Sequence, residues 1–114
     1  MRAPSDNPIH QGRPPVSSEF YSDGNGNPTG GVTYGKGFRI EWQNGVKEPN
    51  GAIIEDVIQA CIDRLRFFQG DDGRGKFSCR ENSLAITHLE EGQNWLIRRT
   101  LNRQERGVEG TYSK

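Results

Sequence analysis

Arg99 and Arg103 stand four positions apart, with Arg106 close to the same line, so on a helix their guanidinium groups are neighbours on one face. Two adjacent guanidinium forks suit a diphosphate, because each can hold phosphate oxygens in a bidentate manner. Cations near a helix C-terminus also serve simply to complement the dipole, and spacing alone leaves both uses open. No other grouping joins a nucleophile to a base. His10 sits in a polar stretch, and His88 lies mid-helix without an HxxxH, HExxH or cysteine partner, which is the setting of a lone surface or interface histidine. Glu90 and Glu91 diverge by about 100° on a helix and read as a solvated face rather than a catalytic pair. The run Gly70-Asp71-Asp72-Gly73-Arg74-Gly75 lacks the GKS/T ending of a P-loop and follows no strand, so it makes a poor phosphate cradle. Cys61 and Cys79 form no CxxC or CxxH arrangement and are expected as buried, reduced thiols. No enzyme is therefore expected, and no metal or cofactor.

Two helices must position the arginines. Ile54, Val57, Ile58, Cys61, Leu65 and Phe68 recur at helical spacing and predict a first helix over about 51–69, with Asn50 as N-cap and Glu55 and Asp56 favourably placed in the early turns. Ser78-x-x-Glu81 reads as a capping box opening a second helix over about 79–106, which Gly107 stops. Such a helix is roughly 40 Å long and outreaches the first by more than a turn. A short polar loop between them predicts an antiparallel hairpin whose basic end projects and needs something to pack against. Upstream, Val32–Tyr34 and Phe38–Trp42 read as two strands within 32–43, joined at Gly35-Lys36-Gly37 and stopped by Asn44-Gly45; Phe38, Ile40 and Trp42 alternate with polar residues as in a half-buried strand. The fold class is therefore α+β: a short antiparallel strand pair followed by a long helical hairpin.

Composition bounds the rest. The 114 residues allow one domain, with only 31% hydrophobic residues and a mean hydropathy of -0.87. Residues 1–31 hold five of the six prolines and few large apolar side chains, so 1–30 is expected to be a flexible arm and 31–114 a single domain. The part left to fold is of a size at which oligomerisation commonly supplements a thin core. Fifteen basic residues balance fifteen acidic ones, which speaks against a nucleic-acid-coating protein. No apolar run approaches the length of a membrane span and no signal-peptide pattern opens the chain, so a soluble intracellular protein is expected.

From Gly30 onward the chain resembles the Thoeris anti-defence sponge family of phages, which shares its C-terminal helical hairpin with the anti-CBASS sponges. The resemblance is carried by Gly37-Phe38-x-Ile40-x-Trp42-Gln43-Asn44-Gly45, by Glu48-Pro49-Asn50-Gly51-Ala52-x-x-Glu55-Asp56-Val57 and by Asp63-Arg64-Leu65-x-Phe67-Phe68-Gln69. It continues through Phe77-x-Cys79-Arg80-Glu81-Asn82-x-Leu84-Ala85-Ile86-x-x-Leu89-Glu90 and Trp95-Leu96-x-x-Arg99-Thr100-x-x-Arg103-x-x-Arg106-Gly107-Val108-Glu109-Gly110-Thr111. Two features depart from the pattern: a longer connector at 70–76, and Gly92 in a helix interior, which suggests a close helix–helix approach. The resemblance implies reversible capture of a cyclic-nucleotide immune signal, of the glycocyclic ADP-ribose type and in some relatives cyclic di- or trinucleotides at a separate site. It implies a pocket of Asn82, Arg99 and Arg103 with an aromatic at Phe68, Phe67 being the less favoured choice. It also implies a homodimer or higher oligomer such as a hexamer, acting in the cytoplasm of the infected bacterial host. The competing readings are a sponge mainly for cyclic di- or trinucleotides and, from another class, a small phage regulatory protein that binds nucleic acid through its arginine-rich end.

Overall fold

The alternation of Phe38, Ile40 and Trp42 is realised as a strand, β3 (Phe38–Trp42), paired antiparallel with β2 (Pro28–Gly35) in the computed structural model, which describes residues 15–45 and 49–107. A third strand, β1 (Ser17–Ser22), completes a sheet of order β1-β2-β3. It lies within the stretch expected as an arm. The sequence conceals it because Ser17, Ser18 and Glu19 show no apolar alternation and Phe20 and Tyr21 remain exposed. Ladder pairing and side-chain bonds hold it instead: Ser18 pairs with Thr33, and their hydroxyl oxygens lie 2.8 Å apart. Trp42 Nε1 donates to the same Thr33 Oγ1 at 2.8 Å, so one face of the sheet is cross-linked through a single hydroxyl. The central strand admits the Phe38 ring only because Gly35 has no side chain; a Cβ there would stand 2.6 Å from Phe38 Cε1. On the opposite face Val32 is buried.

Beyond the sheet, Asn50 does not cap the first helix. Its side chain closes the turn after β3, accepting from Asn44 N and donating to Asn44 O, each at 2.7 Å. Gln43 Oε1 accepts from the amides of Asn50 and Gly51, and Ala52 joins Trp42 in an isolated parallel bridge. The chain divides into two compact units with the boundary after Ala52.

The second unit is the antiparallel hairpin of α1 (Ile54–Gln69) and α2 (Arg80–Glu105). Neither helix carries a side-chain cap: the N-cap positions are Ile53 and Cys79. Ser78, expected to open a capping box, donates its hydroxyl to Gly73 O at 2.9 Å and so stitches the connector. Gln69 takes over the capping of α2 from the neighbouring helix, accepting from Cys79 N at 3.0 Å and donating to Cys79 O and Ser83 Oγ. At the far end Gly107 adopts φ +71 and donates to Gln104 O, the expected stop.

The face that α1 turns to α2 also differs from the expected stripe. Ile62 is 1% exposed and is the fully buried side chain of the hairpin, whereas Ile54 and Cys61 are exposed. At 100° per residue, Ile62 lies about 90° around the helix from the centre of the apolar stripe. Polar reach explains the rotation: Gln93 Nε2 donates to Glu55 O and Gln59 Oε1, and Arg66 meets Glu90 at 2.6 Å. Both thiols, Cys61 and Cys79, are exposed rather than buried, because one sits on the unused flank of that stripe and the other at a helix entrance. The close approach suggested at Gly92 is not made within the hairpin, since nothing lies within 4 Å of where its Cβ would stand. With 26 residues against 16, α2 extends about 15 Å past α1.

Candidate ligand-binding site

The four side chains expected to hold ligand separate into two groups at opposite ends of α2. Phe68, in the last turn of α1, is half-buried and lies at the loop end of the hairpin. Arg64 precedes it by one turn and places its guanidinium carbon 4.8 Å from the Phe68 ring centre and 5.4 Å from that of Phe67. Phe77, in the connector, meets Phe68 edge-on with centres 6.4 Å apart, and Lys76 Nζ lies 5.6 Å from the Phe77 ring centre. Asn82 joins the group from the first turn of α2, donating Nδ2 to Phe77 O at 3.3 Å. Phe68 and Asn82 are thus linked through Phe77.

Sequence reasoning missed Arg64, Lys76 and Phe77. The i, i+3, i+4 spacing of Arg64 to Phe67 and Phe68 is the signal that could have found the first. Phe77 belongs to no periodic pattern, so nothing local announces it. Several amides of the glycine-rich connector are already taken. Its amides at Gly70, Gly73, Gly75 and Ser78 bond to backbone carbonyls of the same turn, and Arg74 N bonds to Asp72 Oδ1.

At the other end Arg99 is exposed and Arg103 half-buried, and both Arg103 and Arg106 already interact with neighbouring groups. Arg98 stacks on Trp95 at 5.2 Å and lines a cleft of about 270 Å³ with Leu101, Asn102 and Glu105. That cleft lies more than 100° around α2 from the Arg99–Arg103 face, so it does not bring those two arginines a partner. Seventeen positions separate Asn82 from Arg99, about 25 Å along one straight helix. A single hairpin therefore presents a ring-and-amide group at one end and a guanidinium row at the other. His88 stands 3.6 Å from Glu91 on the exposed surface, and among the described residues no group of His, Cys, Asp or Glu could hold a metal ion. No described helix is long and apolar enough to cross a membrane.

The described hairpin thus carries aromatic rings near its loop and a row of guanidinium groups on its longer helix. Residues 36–101 match the family described as Acb2/Tad1, hairpin domain, and the chain belongs to that family. A relative of the chain is "Thoeris anti-defense 1" of Bacillus phage SBSphiJ7, 51% identical over 65 residues, which are 57% of this chain and 43% of that protein. The match thus spans less than half the length of that curated relative.

Proposed function

We propose that this protein is a phage anti-immune sponge, which binds a cyclic-nucleotide signal and holds it intact, thereby blocking Thoeris defence in the infected cell. The observation that carries this reading is the 51% identity over 65 residues to a Thoeris anti-defence protein. The favoured ligand is of the glycocyclic ADP-ribose type. The chemistry agrees with it: rings to stack adenine, the Asn82 amide for a base or ribose edge, and Arg99 and Arg103 for the two phosphates. The absence of a nucleophile–base pair from the sequence fits capture without turnover. Residues 31–114 are assigned as the sponge domain, with 1–30 dispensable for holding ligand. The working form is a dimer or a multiple of it, because the two ends of the site are too far apart on one helix to meet on one small ligand.

The test is capture and release. The protein is mixed with purified candidate signals, separated from free ligand, denatured, and the released material analysed. Intact signal is the expected result. A degraded product would make the protein an enzyme, and no uptake of any candidate would overturn the reading.

A further inference from the structure

We propose that Asn44-Gly45, in the turn after β3, is a site of covalent self-modification at which the Asn44 side chain loses ammonia. In that step the backbone nitrogen of Gly45 gives up its proton and attacks the side-chain carbonyl carbon of Asn44. The new C–N bond closes a five-membered imide, and the bond to the side-chain nitrogen breaks and releases ammonia. One water then opens the ring at either carbonyl, leaving aspartate or isoaspartate at position 44. The reaction needs an unengaged side-chain amide, an unprotected N–H after it and no Cβ to shield that nitrogen. Three pairs meet the last condition: Asn25-Gly26, Asn44-Gly45 and Asn50-Gly51, and in each the asparagine is exposed.

Hydrogen bonding separates the three. Gly26 N donates to Asp23 O at 3.1 Å, inside the turn that Asp23 also holds through the amides of Asn25 and Asn27. Gly51 N donates to Gln43 Oε1 at 3.1 Å, and the Asn50 side chain is engaged at both ends by Asn44 N and Asn44 O. Asn44 gives that clasp only its backbone. Among the described residues neither its side-chain amide nor Gly45 N has a hydrogen-bond partner. Gly30 leaves space beside it, since a Cβ there would stand 3.3 Å from Asn44 Cβ. The same clasp makes the change consequential. Isoaspartate adds one methylene to the main chain, so position 44 no longer presents N and O at the spacing that Asn50 bridges. The Asn50 side chain is then released, and the turn after β3 opens.

The experiment incubates the full chain at mildly alkaline pH, once folded and once unfolded in urea, and follows each Asn-Gly pair by peptide mapping with mass spectrometry. Unfolding removes the hydrogen bonds and leaves the three dipeptides, so all three should convert at comparable rates there. In the folded chain Asn25 and Asn50 should slow about tenfold or more, the scale set by one retained hydrogen bond, while Asn44 keeps most of its unfolded rate. The folded-state rate at Asn44 should rise in proportion to hydroxide concentration, because the attacking nitrogen must first lose its proton. NMR of the modified chain should show the Asn50 side-chain amide released from its bonded position. Conversion of Asn25 or Asn50 ahead of Asn44 in the folded chain overturns the proposal. So does equal slowing of all three pairs, which would mean that the fold protects Asn44 as well.

Discussion

The side-chain amide of Asn82 donates to the carbonyl oxygen of Phe77 at 3.3 Å, tying the first turn of α2 to the aromatic residue that precedes it. The bond spends one of the two amide hydrogens and leaves the other, with the carbonyl oxygen, for a ligand. Asn82→Asp keeps the shape, removes both donors and adds a negative charge beside a proposed anion site. Its effect on stability should be small, about 1 kcal/mol, as for other partly exposed hydrogen bonds. Ligand affinity should fall at least about tenfold, the scale for a hydrogen bond in a charged setting. Calorimetric titration alongside thermal melts separates the two; equal losses in both would mean that Asn82 is only a structural tie.

Ile62 supplies the buried centre of the hairpin, with polar side chains on either flank of the seam. Ile62→Ala should cost about 2–5 kcal/mol, enough to melt so thin an interface near room temperature. Removing the Arg66–Glu90 pair should matter far less. Both partners are about half exposed, and such pairs contribute roughly 0.2–1 kcal/mol. Far-UV circular dichroism melts of Ile62→Ala and Arg66→Ala test the ranking, which fails if the arginine variant is the less stable.

The turn between β1 and β2 should open in acid. Asp23 is held below its ordinary pKa of 3.8, first by the Asn27 side-chain amide at 3.1 Å and then by the backbone amides of Asn27 and Asn25. A depressed carboxylate contributes stability above its unfolded pKa and loses it as pH falls through the folded value. The Asn25 and Asn27 amide resonances should therefore stay fixed at neutral pH and shift below the normal carboxylate range. Asp23→Asn should abolish that titration; an unchanged curve would assign it to another acid.

Helix positions and fold class were legible because periodicity survives in both helices, and the i, i+4 pair Arg99 and Arg103 was legible for the same reason. What stayed hidden depends on contacts distant in sequence. The capping of α2 by Gln69 comes across the hairpin, and β1 is defined by its partner strand more than by its own residues. The rotation of α1 that buries Ile62 follows from Gln93 and Glu90 reaching over from α2, which no single-helix pattern encodes. Phe77 is a loop residue placed by its ring contact with Phe68 and by the Asn82 amide on its carbonyl, neither of which any local pattern encodes.

Deleting residues 1–28 removes β1 and the turn while leaving most of β2. The edge of β2 at Val32 and Tyr34 then loses its ladder, and hydrogen exchange there should quicken. Every proposed ligand contact lies on the hairpin, so affinity should change by no more than a few-fold. A loss beyond about a hundredfold, ~2.7 kcal/mol, would place part of the binding site upstream of Thr29.

Asn82 and Arg103 are 21 positions apart on one unbroken helix, about 30 Å along its axis. A ligand the size of a cyclic dinucleotide does not span that distance. If both residues touch one ligand, they come from different subunits, with two long helices antiparallel and Asn82 of one facing Arg99 and Arg103 of the other. A twofold interface then creates two equivalent sites per dimer. Gly92, with open space around its Cβ position midway between these residues, leaves room for such a crossing. Ligand should stabilise the assembled form, since only that form binds it. Complementation tests the geometry directly. Neither Asn82→Trp nor the double variant Arg99→Ala/Arg103→Ala should bind alone. A mixed dimer pairs one intact Asn82 with one intact arginine row, so co-expression should restore one working site in each heterodimer. Native mass spectrometry establishes that heterodimers form, and titration counts the sites. Heterodimers that form and stay inert would show that the two ends of α2 do not share a ligand.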